Sequence, residues 1–98
     1  GLLLGRDGKN LYVANRLHNS IAQIAVTPEG GMRWVSEVWT RGDYPRSLTL
    51  DPAGKTLYVM NQKSDNITRF QVDPAHGTLT FADEYTPVGS PSQLIMVP

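Results

Sequence analysis

The stretch Lys9 to Val26, KNLYVANRLHNSIAQIAV, returns 46 positions further on as Lys55 to Val72, KTLYVMNQKSDNITRFQV. Gly8 corresponds to Gly54, Leu11-Tyr12-Val13 to Leu57-Tyr58-Val59, Asn15 to Asn61, Ile21 to Ile67 and Val26 to Val72. The correspondence extends to Pro28 with Pro74 and, after a one-residue slip, to Gly42 with Gly89. Pro45, Leu48 and Pro52 return as Pro91, Leu94 and Pro98. A period in the forties made of strand-length apolar pieces has the size of one propeller blade, about 40–50 residues for four short strands. The expected fold is therefore all-β: a β-propeller fragment of two four-stranded antiparallel blades plus one inner strand of a closing blade. The repeat divides the chain into blades at 1–42 and 43–89, followed by the inner strand at 90–98. Propellers typically close with about 4–8 blades, so this is expected to be part of one larger propeller domain.

Hydrophobic patterning places the strands. Leu2-Leu3-Leu4 reads as a short buried strand, and Gly5-Arg6-Asp7-Gly8 as a tight turn with an Asp-Gly signal. Asn10 to Ala14 carries apolar side chains on both faces, as a sheet packed between two neighbouring sheets requires. Ile21 to Val26 sets Ala22, Ile24 and Val26 on one face. Thr27 to Gly31 is a turn cluster, and Met32 to Trp39 alternates Met32, Trp34 and Val38 against Arg33, Val35 and Glu37, which suits a more solvated outer strand. The second unit repeats the order with strands at Ser47 to Leu50, Thr56 to Met60, Ile67 to Val72 and Leu79 to Tyr85, and Gln93 to Val97 is the further inner strand. Gly and Pro punctuate every interval long enough for a helix.

Short turns between consecutive strands make each blade a meander, which fixes the loops that share a face. Asn15 to Asn19, Asn61 to Asp65 and Arg41 to Arg46 lie on one end of the ring, and the Asp-Gly and Pro-Gly turns lie on the other. Arg16, His18, Arg46 and Gln62 are thus expected on one end, opposite Asp7, Asp51 and His76.

Composition excludes several classes. With 98 residues, 18% charged and no net charge, there is no electrostatic case for nucleic acid or an anionic membrane as partner. No apolar run approaches the roughly 20 residues that span a bilayer, no signal-peptide pattern opens the chain, and the cytoplasm is the expected compartment. Cysteine is absent, which removes disulfide and thiolate chemistry. Two histidines and scattered acids offer neither a zinc nor a calcium pattern, and no G-x-S-x-G, P-loop or Rossmann fingerprint occurs. No metal and no cofactor is expected.

The residues that carry chemistry sit at the first end. Arg16 follows the second strand and Arg46 precedes the inner strand of the next blade, both near the channel mouth. A guanidinium holds a carboxylate or phosphate in a fixed bidentate geometry, so the pair suits an anionic ligand. Their repeat partners are Gln62 and Ser92, so blade architecture alone does not demand the charge. The bland alternative is that each arginine binds carbonyls of a neighbouring loop. His18, in the loop of Arg16, is the candidate general base, against the reading of a solvated loop histidine. Asn15 and Asn61 recur, which points to a structural amide that caps the following loop. Trp34, Trp39, Phe81 and Tyr85 belong to outer strands and suit packing between blades.

LYVANRLHNSIAQIAV, GDYPRSLTLDPAGKTLYVMNQKSDNITRFQVD and GSPSQLIMVP together resemble the C-terminal blades of the seven-bladed lactonase propeller family. That family includes the propeller type of 6-phosphogluconolactonase and the 3-carboxy-cis,cis-muconate lactonising enzymes. The resemblance covers essentially the whole chain. It implies a parent that hydrolyses a small anionic sugar lactone, with Arg16, Arg46 and Gln62 as substrate-binding residues and His18 as a catalytic neighbour. It also implies acid/base His and Glu from earlier blades. A lactonising cycloisomerase would use the same arginines for carboxylates, and a scaffold or ligand-sensing propeller would keep the rim without chemistry. The partners implied are the lactone and the remaining blades or other copies of the chain.

Overall fold

The computed structural model describes residues 2–6, 8–64 and 66–85, with Tyr85 by its backbone alone. It contains eight strands: β1 (Leu2–Leu4), β2 (Asn10–Asn15), β3 (Ser20–Val26), β4 (Met32–Trp39), β5 (Pro45–Leu50), β6 (Thr56–Asn61), β7 (Asn66–Val72) and β8 (Leu79–Tyr85). They form two four-stranded sheets in the orders β1-β2-β3-β4 and β5-β6-β7-β8, antiparallel throughout. The expected pair of consecutive blades is present. The expected strand Gln93 to Val97 lies outside the described residues, as do Asp7 and Asp65.

The sheets pack face to face. Tyr12 and Ile21 from the first meet Leu50, Leu57, Val59 and Phe70 from the second, and Leu3, Val38, Leu48 and Phe81 close around them. Phe70 and Phe81 pair edge to face at 5.7 Å between centroids, an arrangement favoured by ring quadrupoles. Polar bonds cross the same boundary. The Tyr12 hydroxyl donates to the Gly77 carbonyl at 2.5 Å, and Gln23 Nε2 donates to the His76 carbonyl and to Asn10 Oδ1, each at 2.9 Å.

One strand departs from the sequence expectation. In β4 the register shifts between Gln23 and Ile24: Gln23 faces Ser36 while Ile24 faces Trp34, which leaves Val35 as an extra residue. A bulge reverses the two-residue alternation beyond it. Val38 therefore pairs with Ile21 on the core side, and Glu37 joins Trp34 opposite Ala22 on the outward side. The sequence had grouped Val38 with Trp34. The second blade carries the same bulge, between Arg69 and Phe70 against β8. The one-residue slip of the repeat also finds its place, since five residues connect β3 to β4 and six connect β7 to β8.

Phe81 packs between the two sheets, as expected. Trp34 is 58% exposed on the outward face of the first sheet, together with Leu2, Leu4 and Met32, where it pairs with Ile24 of β3. Trp39 is 60% exposed beside Arg41, which also stacks on Phe81.

Candidate functional site

Loops alternate between the two ends of the meander, and hydrogen bonds show which of them meet. At one end the β2–β3 loop, the segment linking the blades and the β6–β7 loop are bonded into one rim. Asn19 accepts from the Thr40 amide at 2.8 Å and the Thr40 hydroxyl at 3.0 Å through its carbonyl, and from the Tyr44 amide at 2.8 Å through Oδ1. From the second blade, the Gln62 amide donates to the Tyr44 carbonyl at 3.0 Å and the Lys63 amide to the Asp43 carbonyl at 3.1 Å. Ser64 Oγ accepts from the Asp43 amide at 2.8 Å, and Asn66 Nδ2 donates to the Arg41 carbonyl at 3.2 Å.

Beneath this rim lies a buried polar chain. The Thr68 hydroxyl donates to the Thr40 carbonyl at 2.7 Å and accepts from Asn61 Nδ2 at 3.2 Å. Thr40, Asn61 and Thr68 are wholly buried. Asn61 Oδ1 has no hydrogen-bond partner among the described residues. A Cβ on Gly42 would stand 2.4 Å from Asn61 Cγ, so the linking segment passes directly over that amide because residue 42 has no side chain. The two repeated asparagines thus differ. Asn15 caps its loop as expected, its Oδ1 accepting from the Leu17 amide at 3.2 Å. Asn61 turns inward and bonds Thr68, whose hydroxyl holds the Thr40 carbonyl of the linking segment.

The sequence-predicted residues fall on this end. Arg16 follows β2 directly, and its guanidinium carbon lies 5.4 Å from the centroid of the Tyr44 ring. His18 is exposed, with its Nδ1 3.3 Å from Asn15 Nδ2. An amide nitrogen donates, so Nδ1 is the acceptor and the neutral ring carries its proton on Nε2. Gln62 is half-buried beside Tyr44. Arg46 stands inside β5 rather than before it. Pro45 pairs with Asn61 and Ser47 with Met60, which leaves Arg46 as an exposed, unpaired residue of a bulge. Proline supplies no ladder donor, and an irregularity at that point is its usual consequence. Neither arginine forms an ion pair among the described residues.

Sequence reasoning missed three rim residues. Asn19, Arg41 and Tyr44 adopt positive φ values of 51°, 63° and 63°, and they are the only described residues other than glycine that do so. Asparagine tolerates this region, whereas a bulky residue there is strained. Lys63 joins the group with its ammonium 4.7 Å from the Tyr44 centroid, and Arg41 stacks 4.6 Å from Phe81 and 5.0 Å from Trp39. No propensity signals a left-handed tyrosine, and the repeat partner of Tyr44 is Ser90.

The opposite end holds the remaining turns, as expected for Asp51 and His76. Asp51 Oδ1 accepts from the amides of Lys55 at 2.7 Å and Thr56 at 3.0 Å. His76 lies 2.8 Å from Asp73, and its hydrogen bonds hold the Asp73 carboxyl below the usual range. Arg6 crosses from the first blade to the Asp51 carbonyl at 3.3 Å, passing over Gly54. A cavity of about 220 Å³ opens there, lined by Arg6, Asn10, Tyr12, Lys55 and Asp73 among others.

Two blades of this geometry, with one loop-rich polar rim, invite comparison with known propellers. The family described as "Lactonase, 7-bladed beta-propeller" matches residues 1–96. The chain belongs to this family. Among solved structures similar to this lactonase propeller chain is the periplasmic gluconolactonase PpgL of Pseudomonas aeruginosa, at 36% identity and a TM-score of 0.92. That match covers 100% of the chain and 28% of the other. A protein from Lactobacillus plantarum matches at 36% identity and TM-score 0.87, over 92% of this chain and 26% of its own. Among curated proteins, the 6-phosphogluconolactonase of Bacillus subtilis (strain 168) is 44% identical over 48 residues, which is 48% of this chain and 14% of that protein. The lactonase segment described here thus spans about a quarter of the solved structures it resembles.

Proposed function

We propose that the protein carrying this chain hydrolyses a small anionic sugar lactone at the rim that holds Arg16 and Arg46. The observation that supports it most is the meeting of three loops at one end. The β2–β3 loop brings Arg16 onto the Tyr44 ring, and Arg46 stands exposed near the start of β5, two positions after Tyr44; neither arginine has a carboxylate partner among the described residues. The relatives named gluconolactonase and 6-phosphogluconolactonase point the same way.

In this reading Arg16 and Arg46 bind the anionic group of the lactone, and their charge favours the oxyanion formed when water attacks the ester carbonyl. The ring C–O bond then breaks, the ring oxygen takes a proton, and the product is an open-chain hydroxy acid. His18 is the candidate base within this chain. To accept a proton on Nε2 it needs the other tautomer, with the proton on Nδ1, and Asn15 Nδ2 opposes that tautomer. With the proton left on Nε2, His18 is instead a hydrogen-bond donor at the rim, and the base is a group of another blade. Gln62 lines the site. The outward apolar face of the first sheet, with Leu2, Leu4 and Trp34 exposed, is in our reading covered by a preceding blade of the same protein.

The test is acid release by the full-length protein, followed by pH indicator, with 6-phosphogluconolactone and gluconolactone as substrates. Lactonase action gives turnover that falls about 10–100-fold in Arg16→Met and in Arg46→Met, the loss of one charge-assisted contact each. Turnover unchanged in both variants overturns the site. Loss of carboxymuconate absorbance without acid release from either sugar lactone assigns the cycloisomerase reaction instead.

A further inference from the structure

Tyr44 stands at a φ of 63°, a left-handed conformation that crowds the Cβ of a bulky residue against its own backbone. The turn itself does not require a ring there. The four described turns at the opposite end enter the same region through glycine, at Gly8, Gly30, Gly54 and Gly77. Strain of this kind persists only where the surroundings over-determine it, and it gathers at functional sites. Here both blades clamp the residue: Asn19 Oδ1 accepts from the Tyr44 amide at 2.8 Å, and the Gln62 amide donates to the Tyr44 carbonyl at 3.0 Å. The half-buried ring lies 5.4 Å from the guanidinium carbon of Arg16, an exposed side chain without an ion-pair partner among the described residues.

We infer that Tyr44 is a positioning residue: its ring, fixed by a strained and doubly clamped backbone, holds the Arg16 guanidinium in the orientation that meets the ligand. This rests on the proposed lactone site and adds the element that pre-organises one of its arginines. An exposed arginine side chain samples many rotamers, and a ligand that has to fix them binds less tightly than one that meets a guanidinium already in place. The ring's negative face supplies the hold and leaves the positive charge available, whereas a carboxylate partner would neutralise it. Ring and cation also leave the repeat together, since the counterparts of Arg16 and Tyr44 are Gln62 and Ser90. Lys63 approaches the same ring, its ammonium 4.7 Å from the centroid, so the hold on Arg16 has to be read separately from that on Lys63.

The experiment is a double-mutant cycle on the full-length protein, with Lys63 present throughout and with gluconolactone or 6-phosphogluconolactone as substrate, whichever is turned over faster. Tyr44→Leu is expected to lower kcat/KM about 2–5-fold, the loss of one exposed cation–π contact, and Tyr44→Phe, which keeps the ring, to restore the wild-type value. In the Arg16→Met background Tyr44→Leu should have no further effect, because the group it positions is gone. An equal fractional loss in both backgrounds makes the ring a packing residue only and overturns the inference. A second readout needs no turnover: the rate at which phenylglyoxal modifies Arg16, followed by peptide mass spectrometry. Release from the ring should speed that reaction about 2–5-fold in Tyr44→Leu and leave it at the wild-type rate in Tyr44→Phe. An unchanged or slower rate in Tyr44→Leu overturns the inference. If Tyr44→Leu fails to fold, Asn19→Gly takes its place with the same expected and refuting results, since glycine accepts the positive φ of residue 19 but removes the oxygen that holds the Tyr44 amide. Hydrolysis of neither lactone by the wild type refutes the lactonase reading, and the modification rate then decides the role of Tyr44.

Discussion

The Thr68→Val substitution tests whether the buried polar chain beneath the rim holds the linking segment in place. The two side chains have nearly the same shape, so the change removes a hydroxyl and little else. In the structure that hydroxyl serves two buried groups, donating to the Thr40 carbonyl at 2.7 Å and accepting from Asn61 Nδ2 at 3.2 Å. Water does not reach them, because Thr40, Asn61 and Thr68 are each 0% exposed. Each orphaned group costs about 1–3 kcal/mol, and the added methyl returns about 0.8 kcal/mol, which leaves a loss of roughly 1–5 kcal/mol. Asn61 cannot recover by turning its amide, since its Oδ1 already lacks a partner and exchange of the two atoms would only relocate the deficit. The assay is hydrogen exchange by mass spectrometry on the full-length protein, read at the amides of Thr40, Asp43, Tyr44, Gln62 and Lys63, all of which bond across the rim. A loss of about 2 kcal/mol speeds exchange about 30-fold where these amides open locally. Thr68→Ser keeps the hydroxyl and loses one methyl, about 0.8 kcal/mol, and should perturb the rim far less. If Thr68→Ser exchanges faster than Thr68→Val, packing and not hydrogen bonding fixes the segment, and the reasoning fails.

Four further outcomes follow from particular contacts. Tyr12→Phe removes the bond to the Gly77 carbonyl across the blade boundary and should destabilise by about 1–3 kcal/mol, seen as a lower thermal midpoint. Gly42→Ala drives a Cβ to 2.4 Å from the buried Asn61 side chain, so it should cost about 1–3 kcal/mol and lower turnover by displacing Tyr44 and Arg46, both measurable on one purified variant. Asn15→Asp offers His18 Nδ1 an acceptor in place of a donor and frees the Nε2 lone pair, so turnover should rise if His18 is the base and should not if the base lies in another blade. Arg69 holds the Asp83 carboxyl below its usual range, so the pair's contribution is present above the ordinary aspartate pKa and fades as pH falls through the lowered one. Both side chains are substantially exposed, so acid unfolding of Asp83→Asn should differ from wild type only slightly, and less again in high salt.

Much of the fold was legible because a propeller blade is a local object. The period from Lys9 to Lys55, the paired apolar faces at Tyr12 and Tyr58, and the Gly-rich turns suffice to set eight strands and their order. The end that carries Arg16, His18, Arg46 and Gln62 was equally legible, since meander topology assigns alternate loops to alternate ends. The bulges were not. An extra Val35 looks like any other strand residue, yet it transfers Val38 to the core and Glu37 to the outward face. Nor were the rim's internal bonds legible, because the positive φ of Tyr44 arises from contacts with Asn19 and Gln62 that are distant in sequence. Asn61 shows the limit of repeat logic. It matches Asn15 position for position, yet its amide is buried beneath Gly42 and bonded to Thr68, whereas that of Asn15 caps its own loop.

The most direct measurement of the central claim is the crystal structure of the full-length protein with 6-phosphogluconate bound. The account predicts the ligand at the end formed by the β2–β3 and β6–β7 loops, its anionic groups within hydrogen-bond distance of Arg16 and Arg46. Density at the opposite end instead, in the cavity lined by Arg6 and Lys55, would contradict it.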